Sequence, residues 1–136
     1  MSKKRRGSIG LMRHTLLGLA FLLLAATTGR ADMRLLMLDQ PHCEWCEIWE
    51  TEIGGAYHLT DEGAVAPLLR ANIHEPLPDG VTLDRNARFT PTFVLLRDGQ
   101  EVGRLEGYAG EEFFYPMLGR LLDAALAKTG PDTHKE

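Results

Sequence analysis

Two cysteines, Cys43 and Cys46, are the residues whose type and spacing most directly indicate chemistry, and the chain contains no others. An apolar run at residues 33–38 precedes them and predicts a strand buried on both faces, and residues 44–52 predict a helix. Free N–H groups and the helix dipole at the first turn would lower the pKa of the Cys43 thiol. Cys46 lies about one turn further on, where it can attack a mixed disulfide formed at Cys43. The pair therefore predicts thiol–disulfide exchange, with Cys43 attacking and Cys46 resolving.

Other uses of the two cysteines are weaker. A disulfide that closes so short a loop removes little entropy from the unfolded chain, so it would stabilise the fold poorly. A structural metal site needs four ligands, and no second cysteine pair or histidine pair has suitable spacing. We therefore predict no metal, and no cofactor beyond a redox-active Cys43–Cys46 disulfide. Two alternatives stay open: a disulfide oxidase or isomerase, and a metal-binding module such as a metallochaperone that uses His42 with the cysteines.

The neighbours of Cys43 are predicted to tune its pKa in opposite directions. A protonated His42 would favour the thiolate, whereas the carboxylate of Glu44 would disfavour it, unless Glu44 serves only as a favourable charge at the helix start. Trp45 is either a platform for substrate or a partly exposed packing residue. Trp49, one turn further, is predicted to lie in the core.

A second candidate element is the dipeptide Thr90–Pro91. Residues 89–96 give the strongest strand prediction in the chain, yet a proline near the head of a central strand removes a hydrogen-bond donor. A cis bond would explain the proline, because it would leave the N–H and C=O groups of Thr90 free to pair with an extended substrate. We therefore predict that Thr90, Pro91 and Trp45 bind substrate.

The remaining pattern predicts an α/β fold with a mixed sheet and flanking helices. The first helix is expected to end in a left-handed glycine cap at Gly54 or Gly55. A short helix within residues 60–67 and a parallel strand at 68–73 follow, then a hairpin of strands 89–96 and 101–105. A closing helix spans residues 111–127, and its predicted inner face comprises Phe113, Phe114, Met117, Leu118, Leu121, Leu122 and Ala125.

Residues 1–31 are predicted to be a cleavable secretory signal peptide. Five basic residues without an acid precede an apolar run at residues 16–26, and small residues stand at 29 and 31. That run is short against the roughly 20 residues of a spanning helix, so we expect no stable membrane insertion after cleavage. Nine of the fifteen basic residues but all nineteen acids follow Ala31, and an acidic surface disfavours nucleic acid as a partner. Residues 32–129 are expected to form one domain, and residues 130–136 a flexible tail.

These features together resemble the thioredoxin superfamily. The resemblance covers residues 33–127 and rests on Cys43 and Cys46 as the redox pair, Pro91 as a cis-proline, and Gly107 as the glycine after the last strand. It implies a thioredoxin-like fold of minimal, glutaredoxin-like size, because the leading strand and helix of a full thioredoxin are missing. The active site reads Cys-Glu-Trp-Cys instead of Trp-Cys-Gly-Pro-Cys, so the resemblance does not carry over a potential or a partner.

More narrowly, residues 33–41, 76–81 and 90–94 resemble the SoxS periplasmic thioredoxins of the bacterial sulfur-oxidising (Sox) system. This resemblance implies a periplasmic reductant of protein disulfides or persulfides. It also implies a protein thiol or disulfide as substrate, with the sulfur carrier SoxYZ as a candidate, and a membrane electron donor that re-reduces the cysteine pair.

Overall fold

The computed structural model describes residues 31–128. Apart from Ala31, the predicted signal peptide lies outside these residues, as do residue 129 and the predicted tail. In the part that is described, no helix has both the length and the apolar character needed to cross a membrane.

Four strands form one mixed sheet in the order β2-β1-β3-β4. The strands are β1 (Met33–Asp39), β2 (Leu68–Asn72), β3 (Thr92–Arg97) and β4 (Gln100–Glu106). Strand β2 pairs with β1 in parallel and β3 pairs with β4 as an antiparallel hairpin, as the sequence predicted. Strand β3 also pairs antiparallel with β1, which the sequence did not reveal. The helices are α1 (Glu44–Trp49), α2 (Asp61–Val65) and α3 (Glu111–Ala127), with a π-helical turn at Glu50–Gly54 and a 3-10 turn at Tyr57–Leu59.

The strand register gathers three loops at one edge of the sheet. Leu38, near the end of β1, pairs with Thr92 at the start of β3, and Thr92 pairs in turn with Glu106 at the end of β4. The loop to Cys43, the residues before Thr92 and the loop after Glu106 therefore all begin at this edge.

Side chains of β1 and β3 are buried on both faces, as the apolar run at residues 33–38 predicted for β1, with Arg34 as an exposed exception. One face packs against α1 and α3 through an aromatic cluster in which Trp49 contacts Phe93 and Phe114, with ring centroids 5.1 and 5.8 Å away. Trp49 is fully buried, as predicted. The other face, which includes Leu36 and Val94, is covered by the long loop between β2 and β3. The fold class is confirmed, with α1 and α3 sharing one face of the sheet.

Helix α3 differs from its predicted inner face. Its buried residues are Phe114, Leu118, Leu122 and Ala125, whereas Phe113 and Met117 are 54% and 43% exposed. The buried positions follow one another at intervals of four, four and three, which makes a single narrow stripe along the helix. Phe113 and Met117 each precede a buried residue by one position, about 100° around the helix, and so fall outside the stripe.

Two predicted boundaries were also wrong. Gly54 and Gly55 do not form a left-handed cap: Gly55 has φ −65°, and the chain leaves α1 through the π-helical turn. Strand β3 begins at Thr92 instead of residue 89, because Thr90–Pro91 is a cis peptide that breaks the strand ladder.

Candidate active site

Cys43 stands at the N-cap of α1, directly in front of the first helical residue. Its carbonyl oxygen accepts hydrogen bonds from the amides of Cys46 and Glu47, both at 3.1 Å. The Cys46 amide lies 3.2 Å from the Cys43 Sγ and also donates to it. The two cysteines form a disulfide, with Cα atoms 5.2 Å apart. The two cysteines are thus about one helical turn apart, and the backbone N–H of Cys46 points at the Cys43 sulfur.

The residues around the disulfide differ in exposure. Cys43 and Cys46 are buried, at 6% and 8% exposure, while His42 and Glu44 are exposed and Trp45 is 54% exposed. His42 has φ 61°, a left-handed conformation that few non-glycine residues adopt. This turn lets the chain leave β1 and present Cys43 at the helix start.

Thr90 and Pro91 lie at the same sheet edge as the disulfide. The peptide bond between them is cis, Pro91 is buried and Thr90 is half-buried. The amide of Gly107 donates to the Pro91 carbonyl at 2.8 Å, and Gly107 has φ 85°, which favours glycine. The buried Thr92 hydroxyl donates to the Phe89 carbonyl at 2.8 Å. These two hydrogen bonds fix the carbonyl groups of Phe89 and Pro91, on either side of Thr90.

A cavity of about 410 Å³ opens beside the disulfide, and sequence reasoning missed two residues that line it, Arg70 and Glu50. Arg70 forms an ion pair with Glu50, lies 3.9 Å from Asp39, and places its guanidinium 5.7 Å from the Trp49 ring centroid. Arg70 pairs with Met37 in the parallel β1–β2 register, so this residue of β2 lies beside the strand that leads to Cys43. The predicted parallel pairing of the two strands was the feature that could have located Arg70.

A second contact that the sequence did not reveal joins helix α1 to the loop after β4. The Tyr108 hydroxyl donates to Glu52 Oε2 at 2.5 Å. Burial, and then the hydrogen bond and charge of Glu52, raise the pKa of Tyr108 above its ordinary value, so the phenol keeps its proton. The contact ties the loop that contains Gly107 to the end of the segment that carries Cys46.

Between residues 31 and 128, no group of three or more His, Cys, Asp or Glu side chains is arranged to hold a metal ion.

Comparisons with known proteins identify the family. Neither a protein-family model nor a curated protein matches the chain. Among solved structures, the reduced form of the periplasmic thioredoxin SoxS from Paracoccus pantotrophus is 53% identical in sequence, with a TM-score of 0.68. The match covers 69% of this chain and 99% of that protein. With its disulfide at Cys-x-x-Cys spacing, the chain belongs to the thioredoxin superfamily as a SoxS-like member and is a thiol–disulfide oxidoreductase.

Proposed function

We propose that the protein works in the periplasm as a reductant of disulfides or persulfides on a partner protein, with the SoxYZ sulfur carrier as the candidate partner. The observation that carries the proposal is the placement of the Cys43–Cys46 disulfide at a helix start, at the sheet edge where Pro91 also lies. The similarity to a periplasmic thioredoxin supports the compartment.

For a disulfide substrate, the reduced protein acts in two exchange steps. The Cys43 thiolate attacks one partner sulfur, the partner S–S bond breaks, and the released sulfur takes a proton. Cys46 then loses its proton and attacks the Cys43 Sγ, which frees the second partner sulfur as a thiol. Two electrons and two protons pass to the partner, and the Cys43–Cys46 disulfide remains.

For a persulfide substrate, the same residues remove the outer sulfur. The Cys43 thiolate attacks that sulfur, so a persulfide forms on Cys43 and the partner leaves as a thiol. Cys46 then attacks the Cys43 Sγ, which closes the disulfide and releases hydrogen sulfide. The first reaction yields two partner thiols, and the second yields one partner thiol and hydrogen sulfide. In both reactions the protein ends with the Cys43–Cys46 disulfide.

The neighbouring residues are assigned supporting roles in this proposal. Thr90, directly before Pro91, offers its backbone N–H and C=O groups to the partner chain, and the exposed ring of Trp45 offers it a contact surface. His42 and Glu44 flank Cys43 and adjust how readily its thiolate forms.

Each cycle leaves the protein oxidised, so a reductant must restore the dithiol. Because the bacterial periplasm is kept oxidising, we assign this step to a membrane protein that donates electrons from its own dithiol.

The proposal is tested by trapping the partner. Cys46→Ser leaves the attacking sulfur but removes the resolving one, so a mixed disulfide with the partner should accumulate. The variant is purified from periplasm after rapid alkylation, and the covalent adduct is identified by mass spectrometry. Cys43→Ser is the matched control and should trap no adduct. Recovery of Cys46→Ser without any covalent partner would exclude the assigned role of Cys43.

The direction of exchange is tested by the reduction potential of the Cys43–Cys46 pair. A reductant should equilibrate with glutathione buffers near the thioredoxin value of about −270 mV, whereas a value near about −120 mV is typical of a disulfide oxidase. A potential at the oxidase end would replace the proposed reductant with the oxidase or isomerase alternative.

A further inference from the structure

An apolar depression lies next to the redox site, between the loop after β4 and the first turns of α3. Its volume is about 240 Å³, and its walls include Leu105, Gly107, Tyr108, Phe113 and Met117. Phe113 and Met117 are four residues apart and therefore neighbours on the helix surface, and about half of each side chain is exposed. Two large apolar side chains left open to water beside a functional site indicate a binding surface.

The depression is joined to the substrate-binding residues of the proposed function. Gly107, in its wall, donates the hydrogen bond to the carbonyl of Pro91, and Tyr108 donates to Glu52 at the end of the segment that begins with Cys43. A partner chain that passes Thr90 and Pro91 with its cysteine at Cys43 therefore lies beside the depression.

Carboxylates lie in and near the depression. The one in its wall, Glu106, pairs with Arg85 and Arg104, but others nearby are unpaired. Glu52 accepts the hydrogen bond of the Tyr108 hydroxyl, and Glu111 and Glu112 form the first turn of α3, directly before Phe113. The charges of all three contribute to the raised pKa of Tyr108. Glu44, Glu47 and Glu52 also line a neighbouring surface hollow. Apart from Glu106, none of these glutamates forms an ion pair with a Lys or Arg in the described part of the chain.

The sequence accounts for this uncompensated charge. No Lys or Arg occurs between Arg34 and Arg70, or between Arg104 and Arg120, although acids occur throughout both stretches. The two stretches supply the helix with the cysteines and the walls of the depression. The surface near the depression therefore combines an apolar hollow with unpaired glutamates, whereas the cavity on the β2 side of the disulfide contains Arg70, which pairs with Glu50.

We propose that this surface binds a segment of the redox partner that carries one large apolar side chain and at least one Lys or Arg close to its reactive cysteine. The inference rests on the proposed function and specifies its substrate class. The apolar side chain enters the depression beside Phe113 and Met117, and the basic group pairs with the glutamates around it. Charge complementarity of this kind mainly raises the association rate and selects among partners.

The test compares peptides that differ at one feature. Three cysteine peptides are prepared as mixed disulfides with 2-mercaptoethanol. The first has a leucine and two lysines near the cysteine, the second has glutamates in place of the lysines, and the third has serine in place of the leucine. The reduced protein is mixed with each, and second-order rates are divided by its rate with bis(2-hydroxyethyl) disulfide, which reports the reactivity of the cysteines themselves.

We expect the lysine peptide to react about tenfold faster than the glutamate peptide at 20 mM salt, with most of the difference lost at 0.5 M salt through screening. The peptide with serine in place of leucine should react about threefold or more slowly than the first peptide, which carries leucine and the two lysines. Glu112→Lys should reduce the lysine preference, and Met117→Ser should reduce the leucine preference.

Matched controls lie further along the same helix. Asp123→Lys makes the same charge change as Glu112→Lys about three turns away, and Leu126→Ser replaces another half-exposed apolar side chain. Both controls should keep the wild-type preferences. The docking surface would be overturned by equal rates for the lysine and glutamate peptides, or by equal effects of Glu112→Lys and Asp123→Lys. If the protein still reduced bis(2-hydroxyethyl) disulfide in that case, the proposed function would stand. Failure to reduce that small disulfide would overturn both.

Discussion

At Cys43, two backbone features favour a thiolate once the disulfide has been reduced. The sulfur accepts the amide of Cys46, and the residue is the N-cap of α1, where helix N–H groups are unpaired. The adjoining Glu44 and nearby Glu47 are exposed carboxylates that act in the opposite sense. The reactivity of Cys43 therefore reflects a balance between backbone donors and acidic side chains.

The contribution of Glu44 is testable in the reduced protein. Glu44→Gln removes a like charge beside the Cys43 sulfur, so a larger fraction of Cys43 should be thiolate at pH 6. The alkylation rate with iodoacetamide should rise about twofold at low salt and less at high salt, because salt screens the exposed Glu44 carboxylate; this fold-change corresponds to about 0.4 kcal/mol. Asp123→Asn, far along α3, is the control. An unchanged rate would mean that Glu44 acts only as a favourable charge at the start of the helix.

At the level of elements, the strands could be predicted because their apolar runs are long and the hairpin has a clear turn. Because β1 and β2 were recognised as strands with helices between them, their parallel pairing could be predicted too. The positions of Cys43 and Cys46 could be predicted because the cysteines directly follow β1. The exposure of Phe113 and Met117, and the contacts of Arg70 and Tyr108, depend on how α3 and β2 lie against distant segments. Local periodicity does not contain that information, because a residue at the border of an apolar stripe can face either way.

Two glycines should respond in opposite directions to substitution by alanine. Gly107 has φ 85°, a conformation that disfavours a Cβ, so Gly107→Ala should reduce the free energy of unfolding by about 1 kcal/mol. Gly119 lies inside α3 with no atom within 4 Å of the position of an added Cβ, so Gly119→Ala should increase it by about 0.8 kcal/mol. Urea unfolding of the oxidised protein measures both. Shifts of the same sign would contradict the backbone conformation assigned to one of the two glycines.

For the whole molecule, a buried ion pair connects the sheet to the long loop that covers one of its faces. Arg104 donates to Glu101 at 2.6 Å and to the Arg85 carbonyl at 2.7 Å, while Glu101 accepts from the Asp84 amide at 2.8 Å. Burial tends to raise the pKa of Glu101, but hydrogen bonds from Arg104 and Asp84 outweigh it and hold this pKa below its ordinary value. The pair thus stabilises the folded state only while Glu101 is ionised.

Acid should therefore weaken the fold through Glu101. Since the folded-state pKa is depressed, the stabilisation is complete above the unfolded value of about 4.3 and is lost as the pH falls through the folded value. Glu101→Gln should cost about 3 kcal/mol at pH 7, because the buried Arg104 guanidinium then keeps only its longer pair with Glu106, at 3.6 Å. The variant should also lose less stability than wild type between pH 5 and pH 3.

Urea unfolding at pH 7, 5 and 3 measures both effects. Asp32→Asn is the control, because the Asp32–Arg34 pair is exposed and should contribute less than about 1 kcal/mol. A parallel pH dependence of Glu101→Gln and wild type would rule out Glu101 as the acid-sensitive group.

The central position of β1 has a consequence for how the chain acquires its structure during synthesis. This strand precedes all the others, yet its partner β3 begins only at Thr92, more than fifty residues later, and pairs along nearly its full length. At about 5–20 residues per second, the ribosome needs roughly 3–12 seconds to produce that partner. Only β2 can pair with β1 before then, so at least one edge of this apolar strand stays open throughout the interval. The nascent chain is therefore a natural client for a chaperone that binds extended apolar segments.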